Sequence, residues 1–556
     1  MTDTPEPALL PRQGAWHVIL TYAAPALVML AIVVPFLRFH EYSLILPESL
    51  ILMAGAAWLG AIVGGLMRIR PQTLGPILMA ATLFGYLFYR QEITDALVKA
   101  ANAIADNVVG TAPLMLAILA VAMFLALCPI CVLLRRHLDK VVVAVFGTIV
   151  LTTVVLPTDT GGEPVAQGAL PSKRNDLPPL IHIILDEHIG LAGLPAEIAK
   201  SDAIRETVPR IFKDFRIYSH AYSRFAETKF SLTSLMNRDL GANVAALVEG
   251  EDVKFAPKKN DWFDALDAKG YAIKVYQSAW FDMCGGSRAV DACYTYSFFS
   301  PNALQRTPLS TVQRLRALTS KLLIGDGALQ MEPLVSMEAL ARFRSDVAQS
   351  SRGVAYIVHL LIPHFGYLYG ADCTLLDPAH WERDRFGEDR VYSPEERDGL
   401  YRRYLPQMAC ADREMDLLFA ELKTLGIYDE ATIIVHGDHG SRIGERPYIT
   451  EMPQSLTTQD MIDHYSTFVA IKAPGTAPGI DDRPEALQRI FADAFLGGSL
   501  PTSPGPGKIF VRRDEENNFG PLDFAWPEAS PTPIAERSDA APVDDAGASL
   551  LTQLRR

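Results

Sequence analysis

Residues 226–241, AETKFSLTSLMNRDLG, carry hydroxyls at a three-residue spacing: Thr228, Ser231 and Ser234. Thr228 stands just before an amphipathic run that reads as a helix closing at Gly241. At a helix N-terminus the free backbone N–H groups and the macrodipole favour an anion. Two readings of Thr228 follow. As an N-cap, its hydroxyl would contribute about 1 kcal/mol. As a nucleophile it must be helped to lose its hydroxyl proton, which a neighbouring metal ion can do.

Two apolar segments end in groups able to hold such an ion. LIHIILDEH (180–188) delivers Asp186, Glu187 and His188, and ATIIVHGDHG (431–440) delivers Asp438 and His439. Carboxylates with one imidazole suit a single divalent ion such as Zn²⁺ or Mn²⁺. Each segment alone has a plainer reading, an acid that caps the following helix. Together they are stronger, because both end where an α/β fold would put a site.

That fold is read from the elements between them. LIHIIL, YAIKVYQS (271–278), VAYIVHLL (354–361), ATIIVHG (431–437) and TFVAIKA (467–473) are β-branched runs. Helical stretches separate them, such as DWFDALDAKG and the long segment 397–426. Strands alternating with helices indicate an α/β domain with a largely parallel central sheet. In such sheets ligands bind beyond the carboxyl ends of the strands.

The 556-residue chain also has a positive mean hydropathy although 21% of its residues are charged. Apolar runs at about 17–37, 44–67, 73–89, 113–134 and 141–157 account for it. Each is near the roughly 20 residues that cross a bilayer, the third and fifth being the shortest. With the N-terminus in the cytoplasm, Arg12, Arg68, Arg70, Arg135, Arg136 and Lys140 lie inside, against Arg38, Arg90 and Lys99 outside. That asymmetry is the positive-inside pattern, and five crossings then export everything after residue 157. The organisation is a transmembrane domain (1–157), a Pro- and Gly-rich linker (158–179), an α/β domain (180–524) and a disordered tail (525–556). A net charge of −13 argues against a nucleic-acid partner. Cys284, Cys293, Cys373 and Cys410 fall in the exported part, where an even number reads as disulfides. Four cysteines permit three connectivities; we expect local pairing, Cys284 with Cys293 and Cys373 with Cys410.

LIHIILDE, TKFSLTSL, HLLIPHFGY and IIVHGDHG, in this order, resemble the motifs of the alkaline-phosphatase and sulfatase superfamily. The similarity spans most of residues 178–500, and the T-x-x-S-x-x-S-L spacing is similar to the nucleophile segment of sulfatase-like domains. Five preceding spans make the chain resemble membrane-bound phosphoethanolamine and phosphoglycerol transferases. The resemblance implies an alkaline-phosphatase-like domain in which Thr228 is nucleophile and metal ligand. Asp186, Asp438 and His439 would be further ligands. Those transferases usually place Glu directly after the strand's Leu, whereas Asp186 follows Leu185 here, so whether Asp186 or Glu187 binds stays open. His364 matches a substrate-side histidine that can protonate a leaving group; its plain reading is a hydrogen-bonded loop residue. His464, in MIDHYSTF, either completes the pocket or packs structurally. Arg224, Lys229 and Arg442 flank the motifs and can neutralise phosphate, although basic residues on solvated faces are common.

One departure excludes an activity. Formylglycine sulfatases need C/S-x-P-x-R at the nucleophile, and this chain has Thr228-Lys229-Phe230-Ser231. We see no full second ligand set of the kind a two-metal phosphatase uses. The expected function is a metal-dependent transferase of the bacterial inner membrane with its catalytic domain in the periplasm. It would move phosphoethanolamine or phosphoglycerol from a lipid donor, through phospho-threonine, to an envelope glycan or lipid. The rivals are a phosphodiesterase or phosphatase using the same site, and a non-catalytic envelope binding protein.

Overall fold

The computed structural model describes residues 15–40, 42–105, 112–155, 176–198, 200–237, 241–251, 254–296, 304–305, 307–324, 331–349, 352–381, 391–496, 507–514 and 516–526. The chain forms two compact units, Met1–Thr160 with Arg314–Leu323, and Gly161–Gln313 with Ile324–Arg556. Most of the expected linker and nearly all of the expected tail lie outside the described residues.

The first unit is helical: α1 (Ala15–Phe39), α2 (Pro47–Met67), α3 (Leu74–Tyr89), α4 (Gln91–Ala105), α5 (Ala112–Leu134) and α6 (Leu138–Val155). Four of these are long and apolar enough to cross a membrane; α3 is a shorter apolar helix of 16 residues. At 1.5 Å per residue α3 reaches about 24 Å, short of the roughly 30 Å hydrocarbon layer. Side-chain contacts fix how the first and last of these helices run. Thr21 donates to Asp139 over 2.9 Å, and Arg38 donates to the Thr153 carbonyl over 3.3 Å. The starts of α1 and α6 therefore meet, as do their ends, so both helices finish at the same membrane surface. Between those ends the chain must cross an even number of times. Four long apolar helices with α1 parallel to α6 are compatible with about five crossings, the short apolar α3 being the further one. The amphipathic α4 was not anticipated from the apolar runs. Gly60 and Gly64, one turn apart on α2, let α1 approach closely; a Cβ at Gly64 would lie 2.6 Å from the Thr21 carbonyl oxygen.

The second unit is built on an eight-stranded sheet. Its strands are β1 (Leu180–Leu185), β2 (Arg216–Tyr218), β3 (Ala272–Ser278), β4 (Val290–Tyr296), β5 (Val354–Leu360), β6 (Thr432–Gly437), β7 (Val469–Lys472) and β8 (Gly479–Asp481). They lie in the order β8-β2-β7-β6-β1-β5-β3-β4, and only β7 runs against the others. The short β2 and β8 had no readable periodicity in sequence. Central β1 and β5 are buried along their whole length, as β-branched runs covered on both faces should be. After α7 (Lys200–Ile211), α8 (Thr228–Asn237) and α9 (Asp261–Lys269) bring Leu232, Leu235, Trp262 and Phe263 onto Ile184, Ile273, Ile357 and Ile434 on one face. On the other, Phe343 and Tyr276 pack around Tyr356, and Phe212 sits against Phe419 and Phe468. The disulfides pair Cys284 with Cys293 and Cys373 with Cys410, as local pairing predicts.

Register puts three imidazoles on the α8 face. His182 alternates with Ile184 and Asp186 along β1, while His359 of β5 and His436 of β6 both pair with Ile184. His182 and His436 contact through their Nε2 atoms at 2.7 Å, and His436 Nδ1 bonds to the Gly437 carbonyl at 2.7 Å. With the His436 proton on Nδ1, His182 donates to His436 and both rings are neutral. Burial pulls the His436 pKa down to about 4 and pulls His182 well below its ordinary value too. The unfolded chain protonates these rings near 6.5. Their contribution to stability is thus complete above roughly pH 6.5 and is lost as pH falls from there toward 4. The thermal midpoint of the detergent-solubilised chain should fall across that window, and less so in His182→Gln. A midpoint equally pH-dependent in both proteins would refute this account.

Candidate active site

β1 and β6 are neighbours and run in parallel, so the residues that follow them emerge side by side. Asp186 comes directly after β1 and still donates its backbone N–H to Leu360 at the end of β5. Asp438 comes directly after β6 and accepts two backbone N–H bonds on Oδ1, from Glu187 at 3.0 Å and His439 at 2.9 Å. His439 Nδ1 bonds to the Gly440 carbonyl, which turns Nε2 toward both acids. Asp186, Asp438 and His439 offer ligand atoms within 4.8 Å of one another, all three buried.

Thr228 meets this cluster. Its hydroxyl donates to Asp186 Oδ2 over 3.2 Å and lies 3.3 Å from His439 Nε2. The hydroxyl therefore does not cap its own helix. It is the first helical residue of α8, and the Glu227 carbonyl before it takes the Phe230 and Ser231 N–H groups. Ser231 binds the Asp438 carbonyl at 2.6 Å and Ser223 at 2.8 Å, so it is a strut under the site. Ser234 is fully buried on the same helix.

The donor set fits a divalent ion on an observation independent of motif. Among the described residues, Asp186 Oδ1 and Asp438 Oδ2 are buried with no hydrogen-bond partner. Two carboxylate oxygens stranded at this cost, in reach of an imidazole and a hydroxyl, are what a metal site presents when its protein atoms alone are considered. Burial opposes the charge on Asp186. The imidazoles of His364, His359 and His439 outweigh it and hold the carboxyl below the usual range.

Glu187 has a separate role. Its backbone takes a left-handed φ of 65°, anchored by the Asp438 bond and by Tyr404, whose hydroxyl donates to the Glu187 carbonyl. This conformation costs an ordinary residue on the order of 1 kcal/mol and turns the side chain away from its neighbour's path. The Glu187 carboxylate binds Arg442 Nε at 2.7 Å, and His364 Nε2 lies 3.7 Å from it. Asp186, Glu187 and His364 form a second group with metal-compatible spacing, but Arg442 already answers Glu187. Burial disfavours charge on Arg442, and Glu187 overcomes it, so the guanidinium stays ionised. His364 Nδ1 bonds to the Phe365 carbonyl at 2.6 Å, and its Nε2 is 3.1 Å from Arg442 Nη2. In that tautomer His364 serves as an acid only after taking a second proton.

Three further sequence-predicted residues have different surroundings. Lys229 reaches back to Glu227 at 3.6 Å and lies over the Phe255 ring, while Arg512 holds Glu227 at 2.9 Å. Arg224, expected on the substrate side, is instead buried and donates to the Lys508 carbonyl. His464 is likewise structural in its contacts, bonding the Arg446 carbonyl at 2.8 Å. Its own carbonyl takes the Gly440 N–H, and neighbouring Asp463 takes the Arg442 N–H, so this segment holds the loop that carries Arg442. His359 was missed from sequence, although its Nε2 is 3.3 Å from Asp186 Oδ2. The available signal was its alternation within VAYIVHLL, which needs the register to β1 before it can be read.

A parallel-majority sheet thus sets two acids and a histidine at adjoining strand ends, facing a hydroxyl at a helix N-terminus. Residues 202–468 match the family Sulfatase, and the α/β unit that contains them is a sulfatase-like domain. A search of curated protein sequences finds no match. Among solved structures, the C-terminal periplasmic domain of EcEptC from Escherichia coli, in complex with Zn, aligns at 16% identity and a TM-score of 0.38. That alignment covers 65% of this chain and 96% of that one. The phosphonate monoester hydrolase SpPMH from Silicibacter pomeroyi aligns at 16% identity and a TM-score of 0.38, covering 60% and 75%. The phosphonate monoester hydrolase of Agrobacterium radiobacter aligns at 13% and 0.37, covering 61% and 82%.

Proposed function

We propose that this chain is a membrane-anchored, metal-dependent transferase. It takes a phosphoethanolamine or phosphoglycerol group from a lipid onto Thr228 and passes it to a hydroxyl of an envelope glycan or lipid. The observation that carries this reading is the convergence of the Thr228 hydroxyl with Asp186, Asp438 and His439. Those four residues would hold one Zn²⁺ or Mn²⁺, which when bound lowers the pKa of the threonine hydroxyl and offsets charge on a phosphoryl oxygen. In the first step Thr228 Oγ1 bonds to phosphorus and the bond to the lipid alkoxide breaks. Protonated His364 gives that alkoxide its proton. In the second step the acceptor hydroxyl bonds to phosphorus, loses its proton to His364, and Thr228 leaves. Arg442, fixed by Glu187 and Tyr448, is placed to neutralise phosphoryl charge through its fork of donors. The free N–H groups at the start of α8 add to this.

A lipid donor explains why such a domain follows five membrane crossings. We place the spans in a bacterial inner membrane and the α/β unit in the periplasm, in keeping with the basic residues beside the spans and the two disulfides. The test is product analysis with full-length protein in vesicles containing headgroup-labelled phosphatidylethanolamine or phosphatidylglycerol and an envelope fraction. Label on a glycan or lipid hydroxyl supports transfer. Label released only as free headgroup phosphate makes the protein a hydrolase.

A further inference from the structure

One helix belongs to the membrane unit although it lies in sequence within the α/β unit. In Thr311–Ile324, residues Arg314–Leu323 group with the six N-terminal helices. Its inner face runs through Arg314, Ala317, Leu318 and Lys321, at i, i+3, i+4 and i+7, with the last three buried. Arg314 Nε donates to Glu48 Oε1 over 2.7 Å, and the same oxygen accepts the Tyr42 hydroxyl at 2.6 Å. Glu48 is fully buried in the first turn of α2. The helix is therefore held at the membrane surface where α1 ends and α2 begins.

Its other face is the unusual one. Val312 is 74% exposed and Leu323 76%, and Leu315, Arg316 and Thr319 continue the stripe between them. A water-facing helical stripe is ordinarily polar with both signs of charge. This segment, TVQRLRALTSKLLI, has three basic residues and no acidic one. Beside its anchor, Ile45, Leu50 and Ile51 are themselves half or more exposed, so this end of α2 also presents apolar surface.

We infer that the Val312–Leu323 stripe is immersed in the lipid headgroup layer, with Arg316 reaching the phosphates, making Thr311–Ile324 an interfacial membrane helix. Charge argues for this occupant, since the outer stripe carries Arg316 and no acid, which complements phosphate-bearing lipid. The anchor at Glu48, in the first turn of the long apolar α2, places the helix at the end of a span and argues for it independently. The inference does not depend on the chemistry at Thr228.

Spin labels test it in the full chain, reconstituted in nanodiscs of phosphatidylethanolamine and phosphatidylglycerol on a Cys128→Ala/Cys131→Ala background. Nitroxides at Val312→Cys and Leu323→Cys should collide with oxygen, relative to a water-soluble nickel chelate, several-fold more than one at Val391→Cys in the α/β unit. Ratios equal to the Val391 control would overturn the inference, because the stripe would then face water. Low collision with both reagents would overturn it too, showing that protein covers the stripe; dipolar broadening would identify a second copy. The two labelled positions are three turns apart, so either alone gives the readout if the other variant fails to fold.

Discussion

Thr228→Ala, purified with its membrane helices in place, should lose headgroup transfer by roughly 10⁴-fold or more and form no phospho-threonine adduct. The size follows from the reaction plan, because removing a covalent nucleophile deletes both half-reactions. Stability should hardly change. The lost side chain makes one hydrogen bond to Asp186 and one contact to His439, worth about 1 kcal/mol. Activity and midpoint together separate a chemical role from a structural one. Thr228→Ser retains a hydroxyl at the same place and should recover part of the rate. A mass added on Thr228 in protein isolated from its membrane would identify nucleophile and transferred group at once. Full activity in Thr228→Ala would reject the proposed mechanism.

The second large effect concerns the metal ligands. Asp438→Asn keeps the acceptor oxygen that the Glu187 and His439 N–H groups use and removes the charge. Metal affinity should fall by more than the roughly 10–100-fold that loss of an outer-shell partner costs. Chelator-treated wild-type protein should gain thermal stability on adding Zn²⁺ or Mn²⁺, by about 2.7 kcal/mol when free metal is a hundred times its Kd. The variant should gain little. Without metal the order should reverse, and Asp438→Asn should unfold at the higher temperature. Asp186 and Asp438 lie buried within 4.8 Å of each other's ligand atoms, and the substitution relieves their repulsion. Equal metal response in the two proteins would show that the ion binds elsewhere or not at all.

The core of this site was legible in the chain because it depends on local order. Asp186 and Asp438 each directly follow an apolar β-branched run, and a parallel sheet brings the ends of such runs to one edge. Thr228 was legible as a helix start, and its ambiguity between cap and nucleophile was real. Only the position of its hydroxyl relative to Asp186 and His439 separates the two. Basic residues near a motif were the least readable. Arg442 reaches the site because Glu187 and Asp463 hold it there, whereas Arg224, four residues before Thr228, turns into the core against Lys508.

Hydropathy period and residue type, which need no partner, determined that the chain has apolar spans followed by an α/β domain with acids at its strand ends. Tertiary structure decided what depends on register and on pairing across long sequence separation. The left-handed turn at Glu187 gives its carboxylate to Arg442 and leaves Asp186 facing Thr228. The β1–β5 register brings His359 to Asp186. The contacts of Thr21 with Asp139 and of Arg38 with the Thr153 carbonyl set α1 and α6 parallel, which neither apolar run shows alone. In each case local sequence allows several side-chain directions, and packing against a distant segment selects one.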